Sequence, residues 1–376
     1  MRIAINGWFL AHDPHTGTGQ YLRALLEWLP KVGPGHEYHV VVPHGARPAL
    51  PPSIGILRLA CGASNLDKLR FEQVLFPRAC RDLKADVAHV PHWAPPLASP
   101  APVVVTIHDL IPRLLPEYRG GPLVRLYTAL VSAATLGASM VLADSEASRQ
   151  DILRELGLPQ EKVRTVYLAA DERYTAQSGF LLDEAVKQKY GLPEGYVLYL
   201  GGFDARKNVR ALLSAWTWAA GAVGEAYPLV LGGKLPEPDG RLFEDFPALA
   251  KELAVADTVK FIGHVDEADK PALYRSALAF VFPSRYEGFG LPPLEAMACG
   301  APLVCGNGGS LPEVVGSAGY VIPPSDTRAL GAAILTCVVE PTVADNLRQR
   351  GFEQAKKFSW EKTARATLAA YEAVAK

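Results

Sequence analysis

Short, nearly continuous apolar runs recur along the chain, separated by stretches with helical spacing. In the first half they fall at residues 3–6, 38–42, 56–59, 87–90, 103–107, 140–143 and 163–167. In the second half they fall at 197–200, 229–231, 259–262, 278–282, 303–305 and 320–322. A strand covered on both faces reads as an unbroken apolar run, and a helix between two such runs supplies the crossover that parallel strands require. The pattern predicts an α/β chain with two doubly wound parallel sheets. A polar, helix-compatible stretch over 171–189, punctuated by Gly191-Leu192-Pro193, separates the two series. The expected organisation is a first domain over 1–171, a linker over 172–193, a second domain over 194–357 and a closing helix over 358–376. Ser359 can cap that helix, and Ala364, Leu368, Tyr371 and Val374 approximate an apolar stripe on it.

Composition narrows the class. At 376 residues there is material for two cores, and 49% hydrophobic with 20% charged residues suits a globular protein. A net charge of −1 provides no general field to collect nucleic acid. The five cysteines (Cys61, Cys80, Cys299, Cys305, Cys337) are odd in number and scattered, which predicts reduced thiols in a cytoplasmic protein. The first strand starts at once, so no signal peptide is expected. The weakly apolar run 126–143 is broken by Ser132, Thr135, Gly137 and Ser139, and reads as helix, turn and strand. Residues 66–83 form a helical pattern with Lys68, Arg70, Arg78 and Arg81. It reads as a solvated helix with one buried face, a lipid-headgroup contact being the alternative.

The most informative stretch runs from Phe282 to Pro302. An apolar strand ends near Phe282, Glu287 precedes a loop with Gly288 and Gly290, and a helix opens around Pro292 and Pro293 with Glu295 expected in its first turn. Glycines admit close approach, early helical amides attract anions, and carboxylates accept hydrogen bonds from hydroxyls. Phosphate and hydroxyls in one place describe a sugar nucleotide. A plain strand–helix turn is the bland alternative. Gly201-Gly202-Phe203-Asp204-Ala205-Arg206-Lys207-Asn208 lies at the exit of the second domain's first strand, where two cations before a helix suit a diphosphate. Gly17-Thr18-Gly19, after a long loop over 8–18, could face a phosphate or an acceptor, or be a simple turn. With Leu22 where a third glycine would stand, it is no dinucleotide fingerprint. His108-Asp109 sits where the fifth strand exits, suited to a substrate contact or to a structural polar pair. His89 and His92 are weaker candidates on an acceptor side. Ser145 reads as a helix cap. No cluster has trustworthy metal-ligand spacing.

The Glu287-x7-Glu295 signature, continuing through Gly300, Pro302 and Gly308-Gly309-Ser310-Leu311-Pro312-Glu313, resembles that of the retaining family-4 glycosyltransferases. His108 and Arg206-Lys207-Asn208 match in order, so the resemblance spans nearly the whole chain. It implies the GT-B fold: two Rossmann-like domains facing a central cleft, with the C-terminal helix crossing back to the first. It implies catalytic roles for His108, Glu287, Lys207 and Arg206, and donor contacts at Gly17, Gly19, Gly201, Gly202, Gly288, Phe289, Gly290, Leu291 and Glu295. Glu287 would face the donor sugar, Glu295 the ribose, and Lys207 the leaving diphosphate. Gly202 departs from the family, many members having arginine there, and Arg206 is the candidate replacement. The chain has no Asp-x-Asp, and metal-independent transfer is implied, with no cofactor beyond the nucleotide-sugar substrate. GDP-mannose is the first expected donor. The expected partners are a nucleotide sugar and a glycan or lipid-linked acceptor, with no nucleic acid and at most a peripheral contact at the inner face of a membrane. The rivals are an epimerase or phosphorylase on the same fold and a catalytically silent sugar-nucleotide-binding subunit. A nicotinamide oxidoreductase is disfavoured.

Overall fold

The computed structural model describes residues 1–12, 16–177 and 179–375. Met1–Leu168 with Ser359–Lys376 form one compact unit, and Ala169–Phe358 form another.

The first unit contains β1 (Arg2–Asn6), β2 (Glu37–Pro43), β3 (Ile54–Leu59), β4 (Val87–Val90), β5 (Val103–Ile107), β6 (Met140–Ala143) and β7 (Val163–Thr165). They pair in parallel in the order β3-β2-β1-β4-β5-β6-β7. Every residue of β4, β5 and β6 is buried, as their unbroken apolar sequences predict. The order reverses between β1 and β4, and ligands of such sheets collect at the carboxyl ends beside that point.

The C-terminal helix, Trp360–Val374, belongs to this first unit. Ser359 Oγ accepts from the Lys362 amide at 3.3 Å, and Ala364, Leu368, Tyr371 and Val374 are buried as the stripe predicts. Thr363 Oγ1 donates to the Tyr167 carbonyl at 2.6 Å. Tyr371 Oη lies 2.7 Å from His89 Nδ1, whose other nitrogen lies 3.0 Å from Thr106 Oγ1. Burial pushes His89 down to about 3, so the ring is neutral. Fully enclosed, His89 joins helix to sheet and is no acceptor-side residue.

The second unit contains β8 (Tyr196–Leu200), β9 (Leu229–Gly232), β10 (Val259–Gly263), β11 (Ala277–Phe282), β12 (Leu303–Gly306) and β13 (Gly319–Ile322), again parallel, ordered β10-β9-β8-β11-β12-β13. Its switch point lies between β8 and β11.

Three local expectations change. Of the long loop at 8–18, Trp8–His12 is a short helix, and residues 13–15 lie outside the described residues. The helix at 66–83 is interrupted by a π-helical turn, Phe71–Leu75, between Asn65–Arg70 and Phe76–Asp82. The stretch 172–193 contains the Phe180–Tyr190 helix and is bound into the second unit. Arg275 grips both carboxylate oxygens of Asp183, and Lys189 meets Asp266 and Asp269 at 2.6 Å each. The polar residues that read as a linker are largely ion-pair partners. Among the described residues, no single helix is long and apolar enough to cross a membrane.

Candidate active site

Three loops converge at the carboxyl ends of β8, β11 and β12. The first runs from Gly201 into the Val209–Val223 helix. Asn208 has a positive φ of 57°, which asparagine tolerates better than most residues. Although it stands at the start of that helix, its side chain makes no cap hydrogen bond: Asn208 Nδ2 donates to the carbonyls of Pro283 (3.2 Å) and Pro324 (2.9 Å). The Arg206 carbonyl accepts from the Arg285 amide at 2.8 Å, so the cation-bearing turn is stapled to the loop after β11.

That second loop carries Glu287. The turn after β12 lies against it so closely that a Cβ on Gly308 would fall 1.9 Å from the Arg285 carbonyl oxygen. Gly309, at φ 62°, would place one 2.2 Å from the Glu287 carbonyl oxygen. Ser310 then donates its amide to that same carbonyl at 3.0 Å. Here glycine is required by the close approach of two backbones.

This scaffold brings the charged residues together. Glu287 Oε1 lies 2.7 Å from Lys207 Nζ and 2.7 Å from Arg206 Nη1, and Ser284 Oγ donates to it at 2.5 Å. Burial works against the Glu287 charge, but Lys207 and Arg206 outweigh it and hold the carboxyl below its ordinary range. Lys207 moves down: burial and Arg206 outweigh the attraction of Glu287. Its ammonium also stands 4.7 Å from the centre of the Phe282 ring. Arg206 Nε also lies 3.7 Å from Asp204 Oδ1, so the two cations meet two carboxylates, of which only Glu287 touches both cations.

Glu295 differs in kind. It lies in the second turn of the Leu291–Cys299 helix, not the first, and is buried. Tyr274 Oη donates to its Oε2 at 3.1 Å. Burial, with Glu267 adding repulsion, pushes its carboxyl up to about 7 despite Lys270. The same helix begins Leu291-Pro292-Pro293, so two early positions carry no N–H, and Leu294 is bonded to the Gly290 carbonyl. The anion-binding expectation therefore narrows to Leu291 and the residues before it. Phe289 turns its ring inward against Phe358, at 5.7 Å, so only its backbone could meet a ligand. Gly290 has a φ of 105° at the helix entrance. Gly201 and Gly202 border the cation turn; a Cβ on Gly201 would crowd Tyr199 Oη at 3.0 Å.

In the first unit, His108 leaves the end of β5. Its Nδ1 lies 2.6 Å from Asp144 Oδ2 and its Nε2 3.2 Å from the Pro91 carbonyl. Both partners are acceptors, so the ring donates from both nitrogens. Burial opposes that charge, but Asp144, Asp109 and the Pro91 carbonyl outweigh it, and the imidazole is shifted upward. Gly17 and Gly19 open the Gly17–Val32 helix, where Thr16 Oγ1 accepts from the Gly19 amide at 3.3 Å; a Cβ on Gly17 would meet open space. Ser145 does cap the Glu146–Leu156 helix, accepting from the Ser148 amide at 2.9 Å.

Residues 183–358 match the family described as "Glycosyl transferases group 1", and residues 15–174 match "Glycosyltransferase Family 4". The O-antigen chain mannosyltransferase B of Escherichia coli is 37% identical over 305 residues, covering 80% of this chain and 78% of that protein. The chain belongs to glycosyltransferase family 4. The serotype-specific mannosyltransferase WbdA of Escherichia coli is 32% identical over 273 residues, which is 70% of this transferase and 32% of WbdA. Sucrose-phosphate synthase from Thermosynechococcus elongatus has the same fold, with a TM-score of 0.78 over 99% of this chain and 98% of that one, at 22% identity.

Within the transferase, Arg206, Lys207 and Glu287 form one contact group, whereas Glu295 has its own partners. Sequence reasoning passed over Asp144 as the partner of His108, Ser284 as a partner of Glu287, and Tyr274 against Glu295. Asp144 could have been found: β5 and β6 are parallel neighbours, so residues just past their ends lie side by side. Among the described residues, no group of three or more His, Cys, Asp or Glu is placed to hold a metal ion.

Proposed function

We propose that this family-4 enzyme is a retaining, metal-independent mannosyltransferase that moves mannose from GDP-mannose to a hydroxyl of a glycan or lipid-linked acceptor. The observation that carries the reading is the buried Arg206–Glu287–Lys207 group, two cations held together at the β8/β11 switch point. Breaking the anomeric bond develops negative charge on the leaving diphosphate, and Lys207 and Arg206 supply fixed positive charge for it. Lys207 has three protons and can serve the diphosphate while keeping Glu287. All three contacts to Glu287 fall on Oε1; Oε2 is the oxygen that would accept from a sugar hydroxyl. Glu295 would accept from the ribose hydroxyls. Gly201, Gly202 and Gly288 to Leu291 would provide backbone approach, and Gly17 and Gly19 the same on the first unit. His108 would hold a further hydroxyl of the transferred sugar by exchanging its longer contact, to the Pro91 carbonyl.

The mannosyl choice rests on the Escherichia coli relatives, both named mannosyltransferases. Metal independence rests on the two side-chain cations and the lack of Asp-x-Asp in the sequence. A nucleotide-sugar substrate and free cysteines suit a cytoplasmic location. Incubation with GDP-mannose, a mannose-ended acceptor and EDTA tests the whole reading. An α-mannosidic product from the α-linked donor is expected. A β-linked product, or strict dependence on added metal, would overturn it.

A further inference from the structure

The dipeptide Asn-Gly occurs twice in the chain, and the fold treats the two copies differently. Asparagine before glycine is open to a spontaneous reaction, in which the glycine amide nitrogen attacks the asparagine side-chain carbonyl carbon. No Cβ on the glycine stands in the way. Whether a given copy reacts depends on whether its amide and its carboxamide are held elsewhere.

Asn6-Gly7, at the end of β1, is locked. Asn6 is buried, and its Oδ1 accepts from the Trp8 amide at 3.0 Å. The Gly7 amide donates to the Val41 carbonyl at 2.8 Å, so the attacking nitrogen is engaged by the neighbouring strand. Bringing it to the Asn6 side chain would leave buried polar groups unpaired. Asn307-Gly308, just past the end of β12, is not locked. Asn307 is exposed, and neither its carboxamide nor the Gly308 amide has a hydrogen-bond partner among the described residues. Nor can Gly308 be exchanged for a slower neighbour, since the Arg285 carbonyl leaves no room there for a Cβ. The packing that builds the turn also builds in its weakness. Asn65, Asn208 and Asn346 precede Leu66, Val209 and Leu347, whose side chains hinder the attack.

We infer that Asn307 is a site of spontaneous deamidation that disables the donor-side loops as the protein ages. The Gly308 nitrogen bonds to Asn307 Cγ, the Cγ–Nδ2 bond breaks, and ammonia leaves with the proton from the Gly308 amide. The cyclic imide then takes up one water. Opening at one carbonyl gives aspartate; opening at the other gives isoaspartate, in which the chain runs through the former side chain. Isoaspartate adds one carbon to the backbone immediately before Gly308. That glycine lies against the Arg285 carbonyl, and the Arg285 amide is bonded to the Arg206 carbonyl at 2.8 Å. A longer chain here pushes Gly308 off its seat, and Gly309 away from the Glu287 carbonyl. Both products also add a carboxylate at the carboxyl end of β12, which repels a diphosphate bound at that end of the sheet. Only this last consequence rests on the nucleotide-sugar reading.

The test holds the full native chain at mildly alkaline pH for days, with peptide mapping by mass spectrometry and enzymatic methylation of isoaspartate. Modification is expected at Asn307 and not at Asn6, faster as pH rises because the attacking amide must lose its proton. The melting temperature without ligand should fall as the isoaspartate fraction grows, and Asn307→Ser should keep its melting temperature over the same period. Asn307→Asp carries the new charge on a backbone of ordinary length; it should melt like the fresh native chain but lose most of the shift that GDP gives that chain. A fresh native chain with no GDP shift would count against the nucleotide reading and leave the mapping to decide this one. An unmodified Asn307 in the folded chain, when the urea-unfolded chain reacts there, would overturn the proposal. So would equal modification of Asn6 in the folded chain, or an Asn307→Ser chain that declines as fast as the native one.

Discussion

Lys207 and Glu287 lie 80 positions apart in the chain, yet their side chains meet at 2.7 Å in the interior of the second unit. Arg206 reaches the same carboxylate oxygen, so Glu287 is the shared counter-ion of two buried cations. The consequences of removing each partner are unequal. Lys207→Ala leaves Glu287 paired with Arg206, and should cost mainly turnover: ~2–4 kcal/mol of barrier, by analogy with loss of one oxyanion-hole donor. Glu287→Ala leaves Arg206 its 3.7 Å contact to Asp204 but strips Lys207 of its carboxylate out of water, and should lose ~3–5 kcal/mol of stability, the usual cost of breaking a buried pair. Urea unfolding and steady-state kinetics on the two variants check this. Equal destabilisation by both would make Lys207 a structural residue.

Glu295 predicts a pH dependence. Its folded-state value, about 7, lies above the ordinary 4.5 because burial disfavours the charge. A raised value means that its contribution to stability is complete below about pH 4.5 and is lost as pH rises through about 7. Ribose hydroxyls bond more strongly to the ionised form, whose two oxygens both accept, so nucleotide affinity should rise between about pH 6 and 8 while the free protein loses that increment of stability. Glu295→Gln should remove both trends. Calorimetric titration of the nucleotide against pH reads the first and thermal melts the second; an unchanged pH profile in the variant would exclude the ribose role.

The His108–Asp144 pair runs the same way. Burial alone would lower the imidazole, but Asp144 and the other acceptors raise it above its ordinary 6.5. The stability this pair contributes is therefore present below pH 6.5 and is lost as pH climbs through the raised value. In Asp144→Asn the main charge is gone, burial dominates, and the imidazole should titrate below 6.5. NMR titration of His108 in both proteins measures the change directly. A His108 that titrates at the same pH in both would show the ion pair to be absent in solution.

Tyr371→Phe isolates the tie between the C-terminal helix and the sheet. It deletes one oxygen, leaving His89 Nδ1 enclosed without its partner at 2.7 Å. An unsatisfied buried group of this kind costs about 1–3 kcal/mol. Denaturant unfolding should show that loss, with the slope of the transition unchanged.

Much of this fold could be read directly from the chain. Strands β4, β5 and β6 fall on the residues expected, because strands buried on both faces leave an uninterrupted apolar record. The closing helix was legible for a related reason: Ala364, Leu368, Tyr371 and Val374 keep one face. What escaped has no periodic signature. The π-turn at Phe71–Leu75 buries Glu72 beneath Tyr127 and His92, contacts made by residues distant in sequence. Asn208 looks like a cap and instead staples two loop carbonyls, since its positive φ aims the side chain away from the helix. The motif residues were visible as residue types, but their pairing depends on side-chain direction. Nothing in the spacing says that Glu287 binds Lys207 and Arg206 while Glu295 turns to Tyr274.

The central claim is that Lys207 and Arg206 hold a nucleoside diphosphate. The most direct measurement is a melting-temperature panel of GDP, UDP, ADP and TDP with EDTA present, run on the native chain and on Lys207→Ala. A ligand at about a hundred times its dissociation constant adds roughly 2.7 kcal/mol to the folded state, enough to read as a clear shift. The account predicts one nucleotide standing out, GDP if the donor is GDP-mannose, with the shift largely lost in Lys207→Ala. A flat panel with the native chain folded, or an equal shift in the variant, would contradict it.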